Sequence, residues 1–278
     1  MSNLTRNRSR TDSRATESKK SPLSAKRSRL IYGVTGVGTV FAIWFAITGL
    51  GVVNTFLMPT PQRVVTAAIE LIRSGELGKD TLASLLRVLA GFAIALIAAV
   101  PVGIAMGLSF RIRNLLDPLV ELIRPIPPIA VIPLALLWFG IGEESKVFLI
   151  AYGAFFPILL NTFTGMMAID QNHMRAILTL GATRRQAIRH VVLPSAFPNI
   201  VVGARLGIAM GFIVLVAAEL LAADSGLGFL IQDARQRFAT DIVFVGIIVI
   251  GILGLALNQI MLVVERLAVP WRFVGNRT

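Results

Sequence analysis

DQNHMRAILTLGATRRQAIRHVVLPSAFP, residues 170–198, is the longest polar interruption between two apolar runs that could each cross a membrane. It carries a full set of helix stop and start signals. Leu178, Thr179 and Leu180 close one short helical pattern, and Gly181 is the residue type that takes a left-handed closing conformation at little cost. Thr183 then opens a T-x-x-Q box with Gln186, in which each side chain can satisfy a free backbone N–H. In the second helix Ala187, Ile188, Val191 and Val192 gather largely on one face, while Arg184, Arg185 and Arg189 point elsewhere. Pro194 and Pro198 are expected to end that helix before the next apolar run. A helix–turn–helix of this kind between two spans offers a surface to be gripped from the cytoplasm.

Working outward, the composition fits a membrane setting. Hydrophobic residues make up 55% of the 278-residue chain and charged residues 15%, with a mean hydropathy of +0.76, far from a soluble domain. The absence of cysteine excludes disulfides, thiol catalysis and cysteine-based metal sites. A net charge of +12 could point to nucleic acid, but nine of the 27 basic residues lie in the first 29 positions and most others flank apolar runs. No nucleic-acid partner is expected. Residues 1–29, rich in Ser, Thr, Arg and Lys, are read as a disordered basic cytoplasmic tail touching anionic lipid. They hold too few apolar residues for the amphipathic face of a targeting peptide, and no small-residue cleavage pattern follows.

A helix needs about 20 apolar residues to cross a bilayer core, and six segments qualify: about 30–50, 82–109, 118–140, 147–168, 198–222 and 242–264. No period-two pattern of a barrel is present, so the expected fold is all-α, a polytopic protein with six transmembrane helices. Arg111 and Arg113 in the 110–117 turn, four arginines in the 170–197 loop and Arg266, Arg272 and Arg277 near the C-terminus fall on the side of the basic tail. The other loops balance basic residues with acidic ones. The positive-inside rule then places both termini inside.

Three further features stand out. In the first outer loop Thr60-Pro61 starts a helix whose Val64, Val65, Ala68, Leu71 and Ile72 form an apolar face ending near Gly75; it would pack on the bundle or meet an external partner. The third span opens RPIPPIAVIP. Its Pro125, Pro127, Pro128 and Pro133 should break the helix at membrane depth, as a gate, a lining of the path or a static kink. Charges inside spans are costly unless paired or functional. Arg87 and Glu219 lie at comparable depth near the outer ends of the second and fifth spans. Arg124 and Arg205 lie inside the cytoplasmic ends of the third and fifth, with Glu121 near both. These residues form either two buried ion-pair clusters or a path whose surplus arginines favour an anion.

Enzyme readings fail at the residue level. His173 and His190 are the only imidazoles and lack a ligand set. Gly226-x-Gly228 after Ser225 reads as a short turn rather than a phosphate cradle, and no Walker lysine pattern exists. A chain without that pattern cannot hydrolyse ATP alone, so no catalytic residue, metal or cofactor is assigned to it.

The same residues carry a family resemblance. Ala176, then Gly181, then Leu193-Pro194 twelve residues on, with Val191 two before Leu193, resembles the "EAA" loop of bacterial ABC-importer permeases; Arg175, Ile177 and Val191 depart from its Glu, second Ala and Ile. SLLRVLAGF (84–92), PVGIAMGLS (101–109), LDPLVELIRPIPP (116–128), WFGIGEESK (138–146), LGATRRQ (180–186), AAEL (217–220) and SGLGFLIQ (225–232) look like the nitrate/sulfonate/taurine group, most of all taurine permeases. The resemblance implies a type I ABC importer transmembrane fold in the bacterial cytoplasmic membrane. Two permease subunits, as a homodimer, would face each other across the path. Two cytoplasmic ATPases, holding the ATP and Mg, would grip the 170–197 loops through Ala176, Leu180, Gly181, Ala182, Thr183, Gln186, Leu193 and Pro194. A substrate-binding protein would dock outside and deliver taurine, another alkanesulfonate, nitrate or a thiamine precursor. A secondary transporter would need coupling residues at mid-membrane and internal repetition, and neither is found. A membrane-anchored scaffold would leave the prolines and arginines unexplained.

Overall fold

The computed structural model describes residues 22–50, 53–54, 56–168, 177 and 179–268, and among them every regular element is helical. The chain divides into two units, 1–55 and 56–278. In the first, α1 runs Pro22–Gly49. Residues 22–29, expected in the disordered tail, are therefore helical, because Ala25, Lys26 and Arg27 are strong helix formers that extend an apolar helix at small cost. The remainder of the tail lies outside the described residues. Along α1, Thr39 and Thr48 turn their hydroxyls back onto the carbonyls of Thr35 and Trp44, both at 2.8 Å, so these two polar groups are satisfied within the helix.

In the second unit α2, Pro61–Ser74, has proline in its first turn and ends at Gly75, whose φ of +80° is the left-handed closing conformation. Its buried face is Val64, Ala67 and Leu71, turned onto Thr240–Ala268 and Glu76–Leu108. Val65 and Ile72, expected on that face, are exposed. The helix has apolar residues on two sides, and packing selected the side spaced three and four apart.

The bundle is built around α6, Glu143–Met167, with α3, Glu76–Leu108, on one side and α8, Leu193–Ala222, on the other. Close approach is bought by missing side chains. Gly203, Gly207 and Gly211 repeat every four residues on α8, and a Cβ at the first two would meet Asn161 and Ile158 of α6 at 2.7 and 2.6 Å. Gly91 and Gly103 of α3 meet Ile150 and Thr162 of α6 in the same way. Between helices in lipid, where apolar burial offers little, such backbone-to-backbone packing supplies the attraction. Thr240–Ala268 (α10) packs on α8 and on Leu227–Gln236 (α9).

The third apolar run is not one helix over 118–140. Residues 110–123 form α4, a 3-10 turn follows at Pro128–Val131, and α5 runs Ile132–Phe139; the two arms meet at 85°. Pro125, Pro127 and Pro128 remove the N–H groups that would carry α4 onward, and Pro133 sits in the first turn of α5. The 110–117 turn is likewise helical, capped by Ser109, whose hydroxyl accepts from the Ile112 N–H at 3.4 Å. Among the described residues four helical stretches are long and apolar enough to cross a membrane, or five if the bent pair counts as one.

Candidate functional site

The 170–197 segment enters the described residues at Ile177, 179 and beyond; Ala176 and most of the stretch expected to form its first helix lie outside them. Gly181 has φ +86°, and the Ala182 N–H reaches back to the Ile177 carbonyl at 3.2 Å. That six-to-one bond around a left-handed residue is the Schellman closure. Thr183 then caps Arg184–Ala187 (α7): its hydroxyl accepts from the Gln186 N–H at 3.3 Å, and Gln186 Oε1 accepts from the Thr183 N–H at 2.8 Å. Turn and capping box stand as the residues dictated.

Pro194 and Pro198 do not end this helix. A π-turn over Ile188–Val192 joins α7 to α8, with the Leu193 N–H bonded to the carbonyl of Ile188, five residues back. The widened turn makes room for the Pro194 ring, which then sits in the first turn of α8, where a missing N–H costs little. The loop is thus one piece with a span. Val192 and, in part, Ile188 and Leu193 press against Met166 of α6 and Ile104 and Leu108 of α3. The opposite side is open: Leu180 is 85% exposed, and Arg184, Arg185, Gln186 and Arg189 are exposed with it.

At the other end of the bundle Arg87 and Glu219 meet at 2.7 Å, with side chains 3% and 1% exposed. The arginine uses all five of its N–H donors. Nε and Nη2 grip the two oxygens of Glu143, both at 2.6 Å; Nη1 also donates to the Ser225 carbonyl at 2.7 Å, and Nη2 to its hydroxyl at 2.8 Å. Glu219 additionally accepts from the Ser84 hydroxyl and the Gly228 N–H at 2.9 Å. The Leu227 N–H donates to Ser84 Oγ and the Gly226 N–H to Asp80. Backbone N–H groups at the start of α9 therefore close on carboxylates, as the positive end of a helix favours. The Gly226-x-Gly228 turn is a cradle after all, for a carboxylate of its own chain. Lys146, also buried, bridges Glu143 and Asp224 at 3.4 and 3.7 Å.

The second pair expected from the sequence is arranged differently. Arg205 finds Glu265 and Asn258 of α10, at 3.4 and 3.2 Å, rather than Glu121. The neighbour that neutralises it lies 60 residues on, outside any local pattern. Glu121 and Arg124 are exposed and make no ion pair among the described residues. Beside them the Tyr152 hydroxyl of α6 lies 3.4 and 3.3 Å from the carbonyls of Ile123 and Ile126, the first of which also accepts from the Ile126 N–H at 3.0 Å.

Sequence reasoning missed Asp80, Ser84, Glu143, Ser225, Gly228 and Glu265. One signal was present: Asp80, Ser84 and Arg87 are spaced four and three apart, a polar stripe along one face of an otherwise apolar helix.

Comparison with known proteins is consistent across levels. The sequence profile of the binding-protein-dependent transport system inner membrane component family matches residues 82–270, more than half of the chain. The taurine transport system permease protein TauC of Escherichia coli (strain K12) is 38% identical over 240 residues, covering 84% of this chain and 87% of its own. The nitrate import permease protein NrtB of Synechocystis sp. is 31% identical over 262 residues, covering 91% and 94%. In three dimensions the chain is similar to one from the MetNI methionine ABC transporter in an inward-facing conformation, with a TM-score of 0.53 and 19% identity over 66% of this chain and 93% of that one.

Proposed function

The chain belongs to the binding-protein-dependent transport system inner membrane component family, as a multi-pass ABC importer permease, and from that premise we propose how it works. Two copies face each other across a translocation path. α1, α3, the bent pair α4–α5, α6, α8 and α10 make six crossings, with both termini in the cytoplasm, in a type I importer arrangement. Two partner ATPases, which bind ATP and Mg, grip the exposed face from Leu180 to Arg189, and a substrate-binding protein delivers cargo from outside. The cargo is a small oxyanion: taurine carries a sulfonate, nitrate has the same count of oxygens, and the relatives named for these two are similar along most of their length.

The observation that carries this reading is the rigid link between the loop and a span. A force on the face at Leu180–Arg189 passes through the π-turn into α8, and through Val192 and Ile188 to the ends of α3 and α6. The closed turn at Gly181 aims that face. Among the described residues, its chain neighbours aside, none comes within 4 Å of where a Cβ at Gly181 would sit, so the strain expected of its substitution is that of the backbone. Gly181→Val should therefore insert and fold normally, with a local cost of about 1–2 kcal/mol, yet lose transport-coupled ATP hydrolysis in the reconstituted complex. Wild-type coupling in that variant would refute the role of the loop.

A further inference from the structure

We propose that Arg124 is a contact for the anionic group of the cargo, held at the elbow of the broken span. The inference rests on the permease reading above and adds to it the residue that meets the substrate.

The elbow is fixed in place from α6. Tyr152 gives its hydroxyl to the carbonyls of Ile123 and Ile126, and the ring of Pro128 lies 3.7 Å from where a Cβ on Gly153 would be. Tyr152 is well inside a 25-residue helix, about 14 Å along it from Glu143 at 1.5 Å per residue. Arg124, the residue at which α4 closes, is thus carried well inside the apolar layer rather than at its rim. It is exposed, amid exposed Leu122, Ile123 and Ile126, and has no ion pair among the described residues. A guanidinium at that depth does not rest against lipid; it faces water or a counter-charge. Among the described residues the other arginines deep in the bundle are already matched: Arg87 by Glu143 and Glu219, Arg205 by Glu265. The planar N–H fork of Arg124 suits a sulfonate or nitrate group, whose single charge is spread over three oxygens. The competing occupant is Glu121 of a second copy, since two exposed opposite charges one turn apart can pair reciprocally across a twofold axis.

The chain has no cysteine, so a single thiol at the elbow can be read without background. In Ile126→Cys, or Leu122→Cys should the first not fold, the assembled complex in nanodiscs is labelled with the sulfonatoethyl and the trimethylammonioethyl methanethiosulfonates. The anionic reagent should react in preference, and adding Arg124→Gln should lower the anion-to-cation rate ratio by about tenfold. Methanesulfonate should slow labelling when Arg124 is present and not when it is replaced. Three results would overturn the proposal: no labelling, a ratio indifferent to Arg124→Gln, or no protection by methanesulfonate. If protection is absent while Glu121→Gln and Arg124→Gln each weaken the dimer and the double variant restores it, the partner's carboxylate holds the arginine instead. ATP-driven taurine uptake by the wild-type complex is measured alongside. Its absence would sink taurine as the cargo, whereas the labelling result bears on Arg124 alone.

Discussion

Arg87 is 3% exposed and has all five donors engaged at 2.6–2.8 Å, while Arg205 is 37% exposed and reaches its partners at 3.2 and 3.4 Å. The two differ in how many elements they join. Arg87 binds α3 to the start of α6, the end of α8 and the turn before α9, so none can shift without uncovering a charge. Arg205 joins α8 to α10 alone, across bonds long enough to be exchanged for water. The contrast teaches where this bundle is rigid. A buried ion pair adds little net stability when complete but costs a great deal when half is removed, which makes it a rivet rather than a glue. The end holding Arg87 is riveted. The Arg205 contact can slide, and the loop that would receive force from an ATPase connects to the same helix α8.

Three substitutions can break or sharpen this contrast. Glu219→Ala should be the most damaging, by about 3 kcal/mol, because it leaves the buried Arg87 with one carboxylate instead of two and takes the acceptor from the Ser84 hydroxyl and the Gly228 N–H. Pairing Glu219→Leu with Arg87→Met should recover much of that loss. Strictly additive shifts in the melting temperature of the purified protein would mean that the pair is not the fastening described. Next, Gly228→Ala places a Cβ 2.6 Å from the Glu219 Cβ and 3.1 Å from the Leu220 nitrogen, neither at the end of a flexible chain. A cost of about 1–3 kcal/mol is expected, and a melting curve matching wild type would show that the cradle has slack. The smallest effect should come from Glu265→Gln. With Arg205 partly open to solvent, the change should stay within about 1 kcal/mol. A loss as large as that of Glu219→Ala would erase the distinction between the two clusters.

Much of the candidate site could be read from local sequence because its signals are local. Gly181, Thr183 and Gln186 act on backbone groups within a turn of themselves, so their roles follow from residue type and spacing. The prolines from Pro125 to Pro133 broke their span for the same reason. Pro194 did not, because relief came from a π-turn upstream, a hydrogen-bond choice that no residue type announces, and Pro198 lies within α8 without ending it. The Arg87–Glu219 pair was inferred from matching depth in two apolar runs, while Glu143 was placed in a loop, since nothing local shows that the start of α6 folds over the first half of α3.

Composition, run length and charge asymmetry alone were enough to establish an all-helical membrane protein with a capped loop between two spans, because lipid tolerates few ways to satisfy a backbone. Tertiary structure alone decided which helices approach closely, through the glycines of α8 and α3 set against α6, and which face of α2 is buried. It also assigned the charges: Arg87 to two glutamates, Arg205 to Glu265, and Arg124 to none among the described residues. Backbone demands act over a few residues and are written in order along the chain, whereas a charge is answered by whatever the fold brings within reach, here across as many as 146 positions.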